Sequence, residues 1–328
     1  MHTLPFSELD CPYPATAHPY APRADQQTLD WALAQRMIPE TAAPAFGAAH
    51  VGLMAGYLAP HAAFSTVRLL SDWIAWGVLW DDVCDRPDMR FNPLRVAGCQ
   101  RMFLSILRDG AVPRHAHPLA EGLLDLRRRL LGRLSPVALE PFISAAELFF
   151  AACQIEIENR TARVVPAKTH YLALRRASSG IESGLYLVAL LEGFLPPASV
   201  RRHPAVTRAQ VLAINAFCIA NDLISLPKEL ASGDVHNLVI ALQHNEGLSR
   251  ADAWGRGVAQ YNATVQALTE QVAALPSFGP ADCALHRYAG LLQTFLWGSL
   301  AWAKVTNRYC APSGAAAPLP LPRGVLRG

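Results

Sequence analysis

The chain has 328 residues, of which 52% are hydrophobic and 17% charged, so it can bury a large core and general disorder is excluded. Its 29 Lys and Arg residues against 26 Asp and Glu residues give a net charge of +3 without a basic run, which argues against a nucleic-acid partner. Seven scattered cysteines form no CxxC pair, which excludes a common type of zinc site and fits a reduced cytoplasm.

The N-terminal segment, 1–24, contains five prolines and is predicted to lie as an extended strap over the body of the protein. It lacks the charged and apolar regions of a secretory signal. The apolar stretches within 67–80 and 183–195 contain charged residues and are too short to span a bilayer. We therefore expect a cytoplasmic protein without a membrane partner.

Apolar residues recur at helical spacing after the strap, with almost none of the alternation that is typical of strands. The pattern predicts an all-α fold in which one domain, 25–310, is followed by a flexible C-terminal tail, 311–328, rich in Pro, Gly and Ala. Breaks that contain Pro or Gly set the helix boundaries. The predicted helices are 25–37, 61–85, 91–109, 118–133, 138–162, 167–192, 207–231, 247–274 and 281–309.

An acidic motif, DDVCD, ends the apolar helix predicted at 61–85. Asp81 and Asp85 lie four residues apart, so they share one face of the helix and can reach one metal cluster. Carboxylate oxygens at a helix end suit Mg²⁺. The alternative is a solvated acidic helix end, but acidic residues there oppose the helix dipole, which favours ligands.

A second polar motif, NDLISLPKELASGD, places Asn221, Ser225 and Glu229 at successive steps of four residues on one helix face. Three oxygen-bearing side chains in line can hold another Mg²⁺. The alternative is an ordinary polar face. Pro227 inside the helix and Lys228 beside it are unusual choices for such a face, which favours the ligand interpretation.

The two motifs together resemble the aspartate-rich motif and the second metal-binding triad of class I terpene synthases of the bacterial type. In that family, an arginine that senses diphosphate lies four residues before a small residue at a helix break. The segment LRRASSG is similar to this pattern. The resemblance implies that Arg176 is the sensor, Ser179 the linker and Gly180 the break, and it leaves Arg175 as a surface charge.

The resemblance continues to the end of the predicted domain and covers about residues 12–309. A late Arg-Tyr pair after a tryptophan is matched by Trp302, Arg308 and Tyr309 in WAKVTNRYC. The family implies a helical bundle around an apolar cavity, three Mg²⁺ ions for which Mn²⁺ can substitute, and a monomer or homodimer. It also implies ionisation of a linear prenyl diphosphate, with farnesyl diphosphate as first choice, followed by cyclisation to a terpene hydrocarbon or alcohol.

The expected chemistry agrees with this resemblance. A diphosphate leaves only if its growing negative charge is neutralised, which metal ions and cationic side chains can do. The donors that we expect are Arg176, Arg308 and Lys228, with a hydroxyl from Tyr309. Taken singly, Arg176 and Arg308 would more often be surface charges.

A carbocation must be kept from water, so the rest of the cavity should be apolar and aromatic. Gly77 stands one helical turn before Asp81, and Phe217 one turn before Asn221, so both are candidates for the wall. Trp302 and Trp73 are further candidates, and the alternative for each aromatic residue is the plain core.

This chain also departs from the family pattern near its acidic motif. Many relatives carry aromatic residues near the positions of Gly77 and Val78, so we expect a roomier or differently shaped pocket. Trp80 replaces a more common phenylalanine directly before the acidic motif.

Two other functions fit an all-helical chain of this kind. A prenyl diphosphate synthase that elongates chains normally has two DDxxD motifs, whereas the Asn, Ser and Glu triad stands at the second position here. A non-catalytic helical binding protein would be expected to lack a metal ligand or a diphosphate donor, and all of these residue types are present.

Overall fold

The computed structural model describes residues 6–13, 15–113 and 116–309, and within these ranges it is built from helices without strands. The all-α prediction is confirmed. The tail 311–328 and the strap prolines Pro5 and Pro14 lie outside the described residues. The α-helices are α1 Ala21–Ala34, α2 Ala43–Gly47, α3 Val51–Leu58, α4 Phe64–Cys84, α5 Pro93–Asp109, α6 Pro118–Leu131, α7 Pro136–Ala162, α8 Lys168–Ser178, α9 Ile181–Leu191, α10 Ala198–Arg201, α11 Pro204–Ser232, α12 Leu238–Glu246, α13 Arg250–Ala273 and α14 Asp282–Ala303.

Local sequence sets many of the helix ends. Proline stands in the first turn of α5, α6, α7 and α11, where no backbone donor is needed. The residue before it supplies a side-chain cap, as when Ser135 accepts a hydrogen bond from the Ala138 backbone nitrogen. Gly110, Gly233 and Gly247 end helices in the left-handed conformation. These signals explain why the predicted breaks lie close to the observed ones.

Four short helices, α2, α3, α10 and α12, were missed by the sequence pattern. Helix α3 contains two glycines, which lower helix propensity, but their missing side chains let α3 pack closely against α1. Helix α1 begins at Ala21 rather than 25 because Pro22 lies in its first turn. At the other end, α14 stops at Ala303 rather than at 309.

The described part of the N-terminal segment contacts α13, whereas residues 21–24, which were predicted as part of the strap, belong to α1. The Asp10 backbone nitrogen donates to Asn262 Oδ1 at 3.0 Å, and the Tyr13 and Thr269 hydroxyls share a hydrogen bond of 2.6 Å. Each bond joins residues more than 250 positions apart in sequence. The strap therefore ties the N-terminus to a late helix.

Helices α4 and α11 form the centre of the bundle. Helix α4 packs against α1, α3, α6 and α9, and α11 packs against α8, α12, α13 and α14. An aromatic cluster extends from α4: Trp73 stacks on Trp76 with ring centroids 5.4 Å apart, and Phe103 and Phe150 meet Trp76 edge on. This cluster packs α4 against α5 and α7 and so orients the helix that carries the acidic motif.

Among the described residues, α7 and α11 are long and apolar enough to cross a membrane by length and composition, which corrects the view that every apolar stretch is too short. In α11, 72% of the most apolar window is buried inside the protein. The corresponding share of α7 is 39%, and that helix packs against α5, α8 and α9. For α11, this burial is that of a core helix.

Close packing of α14 on α3 gives a prediction for stability. A β-carbon at Gly298 would lie 2.7 Å from the backbone carbonyl of Tyr57, which cannot move aside as a side chain would. Gly298→Ala should therefore lower the free energy of unfolding by about 1–3 kcal/mol. The matched control is Gly290→Ala on the same helix, where a β-carbon meets open space and should stabilise by up to about 1 kcal/mol. Equal chemical-denaturation midpoints for the two variants would contradict this packing.

Candidate active site

A cavity of about 320 Å³ lies between α4, α7, α11, α14 and the break that separates α8 from α9. Its volume is within the range of small-molecule sites. Most of the residues singled out in the sequence line this cavity. They are Trp73, Gly77, Asp81, Asp85, Ser179, Gly180, Phe217, Asn221, Ser225, Lys228, Trp302, Arg308 and Tyr309. Arg176 and Glu229 do not line it.

The acidic end of α4 is paired with the last described segment of the chain. Arg308 Nη2 lies 3.0 Å from Asp82 Oδ1 and 3.3 Å from Asp81 Oδ2. The Asp81 and Asp82 side chains are 63% and 48% exposed, whereas the Arg308 side chain is mostly buried, and Asp81 and Arg308 line the cavity. Arg308 therefore holds positive charge directly beside the acidic motif.

Asp85, at the C-cap of α4, is the most buried of the three motif carboxylates. Burial and the neighbouring charge of Asp81 raise the pKa of Asp85 to about 6. Arg90 and Arg160 lie 3.8 and 3.9 Å away, beyond hydrogen-bonding distance. The negative charge at Asp85 is thus incompletely compensated, and a cation would stabilise it.

The triad on α11 meets the acidic motif across the cavity. Asn221 is held from both sides, because Arg175 Nη2 donates to its Oδ1 at 2.7 Å and its Nδ2 donates to the Tyr309 hydroxyl at 2.8 Å. The Ser225 hydroxyl donates to the Asn221 backbone oxygen at 2.7 Å. Of the three residues predicted on one face, Asn221 and Ser225 line the cavity and Glu229 does not.

Glu229 lies one turn further along α11 and outside the cavity lining. Asn237 Nδ2 donates to Glu229 Oε2 at 2.6 Å, which turns the carboxylate toward the loop between α11 and α12. Burial, together with the charge of Asp222, raises the pKa of Glu229 to about 8. The charge of Arg175 opposes this rise, but no Lys or Arg side chain among the described residues forms an ion pair with Glu229.

Arg175, and not Arg176, lines the cavity, which corrects both expectations for this pair. Arg175 Nε donates to Asp222 Oδ1 at 2.9 Å, so it is a buried partner of α11 rather than a surface charge. Successive helix residues point about 100° apart. Arg176 consequently lies outside the cavity wall, and its Nη1 donates to Asn215 Oδ1 at 3.0 Å. The rotation of α8 about its axis decides which of the two arginines faces the cavity, and two adjacent arginines in a sequence do not reveal that rotation.

The break that the resemblance implied at Gly180 is present, and it divides the single helix predicted at 167–192 into α8 and α9. Gly180 has φ of 68° and separates α8 from α9, a conformation that favours glycine. Its carbonyl oxygen accepts a hydrogen bond of 2.6 Å from the Ser183 hydroxyl, and the Ser179 hydroxyl donates to the Arg176 carbonyl at 2.8 Å. The break thus turns backbone and small polar side chains toward the cavity.

The remaining wall is apolar and aromatic. Gly77 and Phe217 line the cavity beside Asp81 and Asn221, as the helical spacing predicted. A β-carbon at Gly77 would meet no atom within 4 Å, so this part of the wall is open. The Trp302 indole nitrogen donates to the Ala49 backbone oxygen at 2.8 Å, which fixes its ring.

The structure adds polar residues that sequence reasoning did not assign. Glu156 and Arg160 on α7, and Asp234 and His236 after α11, line the same cavity. Arg160 Nη2 donates to Asp234 Oδ2 at 2.7 Å and joins the two elements. Glu156 and Arg160 lie four residues apart inside an apolar helix, a spacing that could have been recognised, and His236 lies two residues after the end of the second polar motif.

The donor set fits a hard divalent cation. Its ligands would be carboxylate, amide and hydroxyl oxygens, which Mg²⁺ prefers. Within the described residues, no group of three or more His, Cys, Asp and Glu side chains is arranged to hold a metal by itself. The donors instead form two part-sites, on α4 and α11, and the raised pKa values of Asp85 and Glu229 show that nearby cationic side chains do not fully compensate either carboxylate.

Comparison with known proteins agrees with this geometry. Residues 72–267 match the family model described as "Terpene synthase family 2, C-terminal metal binding", a span that includes both polar motifs. Germacrene A synthase of Nostoc punctiforme is 28% identical over 94% of this chain and 96% of its own length. A (+)-T-muurolol synthase of Roseiflexus castenholzii, named as cyclising (2E,6E)-farnesyl diphosphate, is 31% identical over 91% of this chain and 92% of its own length.

Solved structures show the same architecture. A cucumene synthase with one substituted residue superposes with a TM-score of 0.79 at 25% identity, over 92% of this chain and 99% of the other. A linalool/nerolidol synthase from Streptomyces clavuligerus superposes with a TM-score of 0.80 at 23% identity, over 90% and 99% of the two chains. The second comparison, at lower identity, shows likeness of fold alone.

Proposed function

This chain belongs to the terpene synthase family, and we propose that as such an enzyme it ionises a linear prenyl diphosphate and steers the carbocation to a terpene hydrocarbon or alcohol. The observation that carries the proposal is a single cavity with a polar, charged end and an apolar end. Oxygen donors of α4 and α11 and the cationic side chains of Arg175, Lys228 and Arg308 stand at one end. Mainly apolar and aromatic side chains form the other end. Such a cavity suits a substrate with a charged head and a hydrocarbon chain.

Asp81 and Asp85 on one side and Asn221, Ser225 and Glu229 on the other are the residues that would hold Mg²⁺. When bound, the metal supplies positive charge that stabilises the departing diphosphate. The number of ions, for which the family resemblance gives three, belongs to this proposal, as does substitution by Mn²⁺. Glu229 would have to turn from Asn237 toward the cavity to take part.

The cationic side chains have a distinct task in this proposal. Arg308 and Arg175 present planar donor groups that match diphosphate oxygens, and Lys228 provides a point charge. The Tyr309 hydroxyl, which already accepts a hydrogen bond from Asn221, can donate its own proton to the same head group. Arg308 and Arg175 are also paired with Asp82 and Asp222, which keeps their charges compensated.

The apolar end has the complementary task of excluding water and stabilising positive charge. Ring faces of Phe217, Trp73 and Trp302 can offer cation–π contacts of about 0.5–2 kcal/mol. Farnesyl diphosphate is our first candidate because a relative that aligns along most of this chain is named for that substrate. We expect the enzyme to act in the cytoplasm as a monomer or homodimer, without nucleic acid or membrane as a partner.

The direct test is to incubate the purified protein and Mg²⁺ with geranyl, farnesyl or geranylgeranyl diphosphate, then to measure released diphosphate and extracted terpenes by gas chromatography and mass spectrometry. A chelator should abolish turnover. Asp81→Ala and Asn221→Ala should each lower it roughly 100-fold or more, the scale of losing one electrostatic stabiliser. Asp109→Ala, at the exposed end of α5, is the control. Near wild-type turnover of Asp81→Ala at saturating Mg²⁺ would reject its role as a ligand.

The placement of the two arginines gives a second test. Arg175→Lys keeps the positive charge but loses the planar fork that contacts Asp222 and Asn221, so turnover should fall by about 100-fold. Arg176→Lys, the matched change one residue later, should stay within about threefold of wild type because its side chain lies outside the cavity lining. Steady-state diphosphate release measures both variants. The reverse order of effects would restore Arg176 as the sensor.

The open wall at Gly77 gives a third test. Gly77→Phe should fill part of the cavity and shift the products toward less cyclised or shorter-chain terpenes, because a side chain there has free space ahead of it. Diphosphate release should continue, since the cationic and oxygen donors are unchanged. Gly255→Phe, at an exposed position of α13, is the control. A product profile identical to wild type would show that this wall does not shape the substrate.

A further inference from the structure

His236 is a buried residue of the cavity wall whose ring has no hydrogen-bond partner among the described residues. It lies between α11 and α12 and is 6% exposed, yet both Nδ1 and Nε2 are unpaired. A buried polar atom without a partner costs free energy, and such atoms are uncommon in folded proteins. The ring lines the cavity, so a molecule inside the cavity can supply the missing contact.

Glu156 faces this ring from α7. Its Oε1 lies 3.8 Å from His236 Nδ1, too far for a direct hydrogen bond. The Ser178 hydroxyl donates to the same carboxyl group, and 17% of the Glu156 side chain remains exposed. A separation of this size between two polar groups is one that a bridging water can fill.

The charged side chains near Glu156 and His236 form ion pairs with one another. Arg160 pairs with Asp234, and Arg175 pairs with Asp222, so neither guanidinium is committed to Glu156 by a hydrogen bond. Glu156 and His236 are therefore available to a small polar molecule at this wall, as is the unpaired Arg160 Nε. A water needs two to four polar partners to be held in a protein interior, and this pair provides at least two.

The protonation states suit a nucleophilic water. Burial lowers the pKa of His236 to about 4, so its ring is neutral near pH 7 and offers one acceptor and one donor nitrogen. Burial raises the pKa of Glu156 to about 7 although the charge of Arg175 opposes it. A carboxyl group that titrates near the working pH can accept a proton.

We propose that Glu156 and His236 hold a water molecule in the cavity wall, and that this water quenches the final carbocation to give a terpene alcohol. The inference rests on the proposed function. The water oxygen forms the new C–O bond with its lone pair, and one of its O–H bonds then breaks. The proton passes to the Glu156 carboxylate and leaves with the released diphosphate, so the overall reaction consumes one prenyl diphosphate and one water.

The test follows the origin of oxygen in the product. Wild-type protein is incubated in ¹⁸O-labelled water with Mg²⁺ and each of the three prenyl diphosphates, and products are separated by gas chromatography and mass spectrometry. We expect an alcohol that carries one ¹⁸O. Glu156→Gln and His236→Phe should lower the ratio of alcohol to hydrocarbon about tenfold or more, a larger change than any change in released diphosphate. A merely structural role would lower both quantities together.

Two matched controls isolate the pair. Glu158→Gln changes an exposed carboxylate two residues further along α7, and His244→Phe changes an exposed histidine of α12. Both should keep the wild-type product ratio. Glu156→Gln preserves shape and carries the test by itself if thermal melting shows that His236→Phe does not fold.

The possible results separate this inference from the proposed function. A wild-type enzyme that releases diphosphate but makes only hydrocarbon, or an alcohol without ¹⁸O, would overturn the water site alone. An unchanged product ratio in folded Glu156→Gln, or loss of its diphosphate release, would do the same. Absence of diphosphate release from wild type with all three substrates would overturn the proposed function itself.

Discussion

The buried ion pair between Arg175 and Asp222 is the interaction on which the candidate site depends. Asp222 lies inside α11, where burial raises its carboxyl pKa and the Arg175 guanidinium opposes that shift. The second carboxylate oxygen accepts hydrogen bonds from the Tyr171 hydroxyl and the Leu238 backbone nitrogen, the latter 3.0 Å away. One side chain thus joins α8, α11 and the start of α12. Breaking such a pair would leave an uncompensated buried charge, at a cost of about 3–5 kcal/mol.

This pair also orients the groups around it. The same guanidinium that meets Asp222 donates to Asn221, so the amide oxygen of the neighbouring residue faces the cavity in a defined position. Asn237 donates both to the Asp222 backbone oxygen and to Glu229, which connects the loop after α11 to the triad. The polar end of the cavity is therefore a connected hydrogen-bond network, and the substitution of one member should alter the hydrogen bonds of the others.

The C-terminal part of the site is hydrogen-bonded to the backbone of Ala48 and Ala49, which precede α3. Trp302 and Thr306 both donate to the Ala49 backbone oxygen, and the Asn307 backbone nitrogen donates to the Ala48 oxygen at 3.1 Å. These bonds place the following Arg308 over the acidic motif and the Tyr309 ring against Trp302. Residues that follow the last helix thereby gain a position that their local sequence would not provide.

The sequence by itself determined the all-helical class, most helix boundaries and the faces of α4 and α11, because helical periodicity, Pro and Gly punctuation and spacings of four residues are local properties. Only the tertiary structure decided between Arg175 and Arg176, turned Glu229 toward Asn237 and brought His236 opposite Glu156. Those arrangements depend on helix phase and on contacts between residues tens of positions apart, and their energies arise from burial and pairing that exist only once the helices have packed.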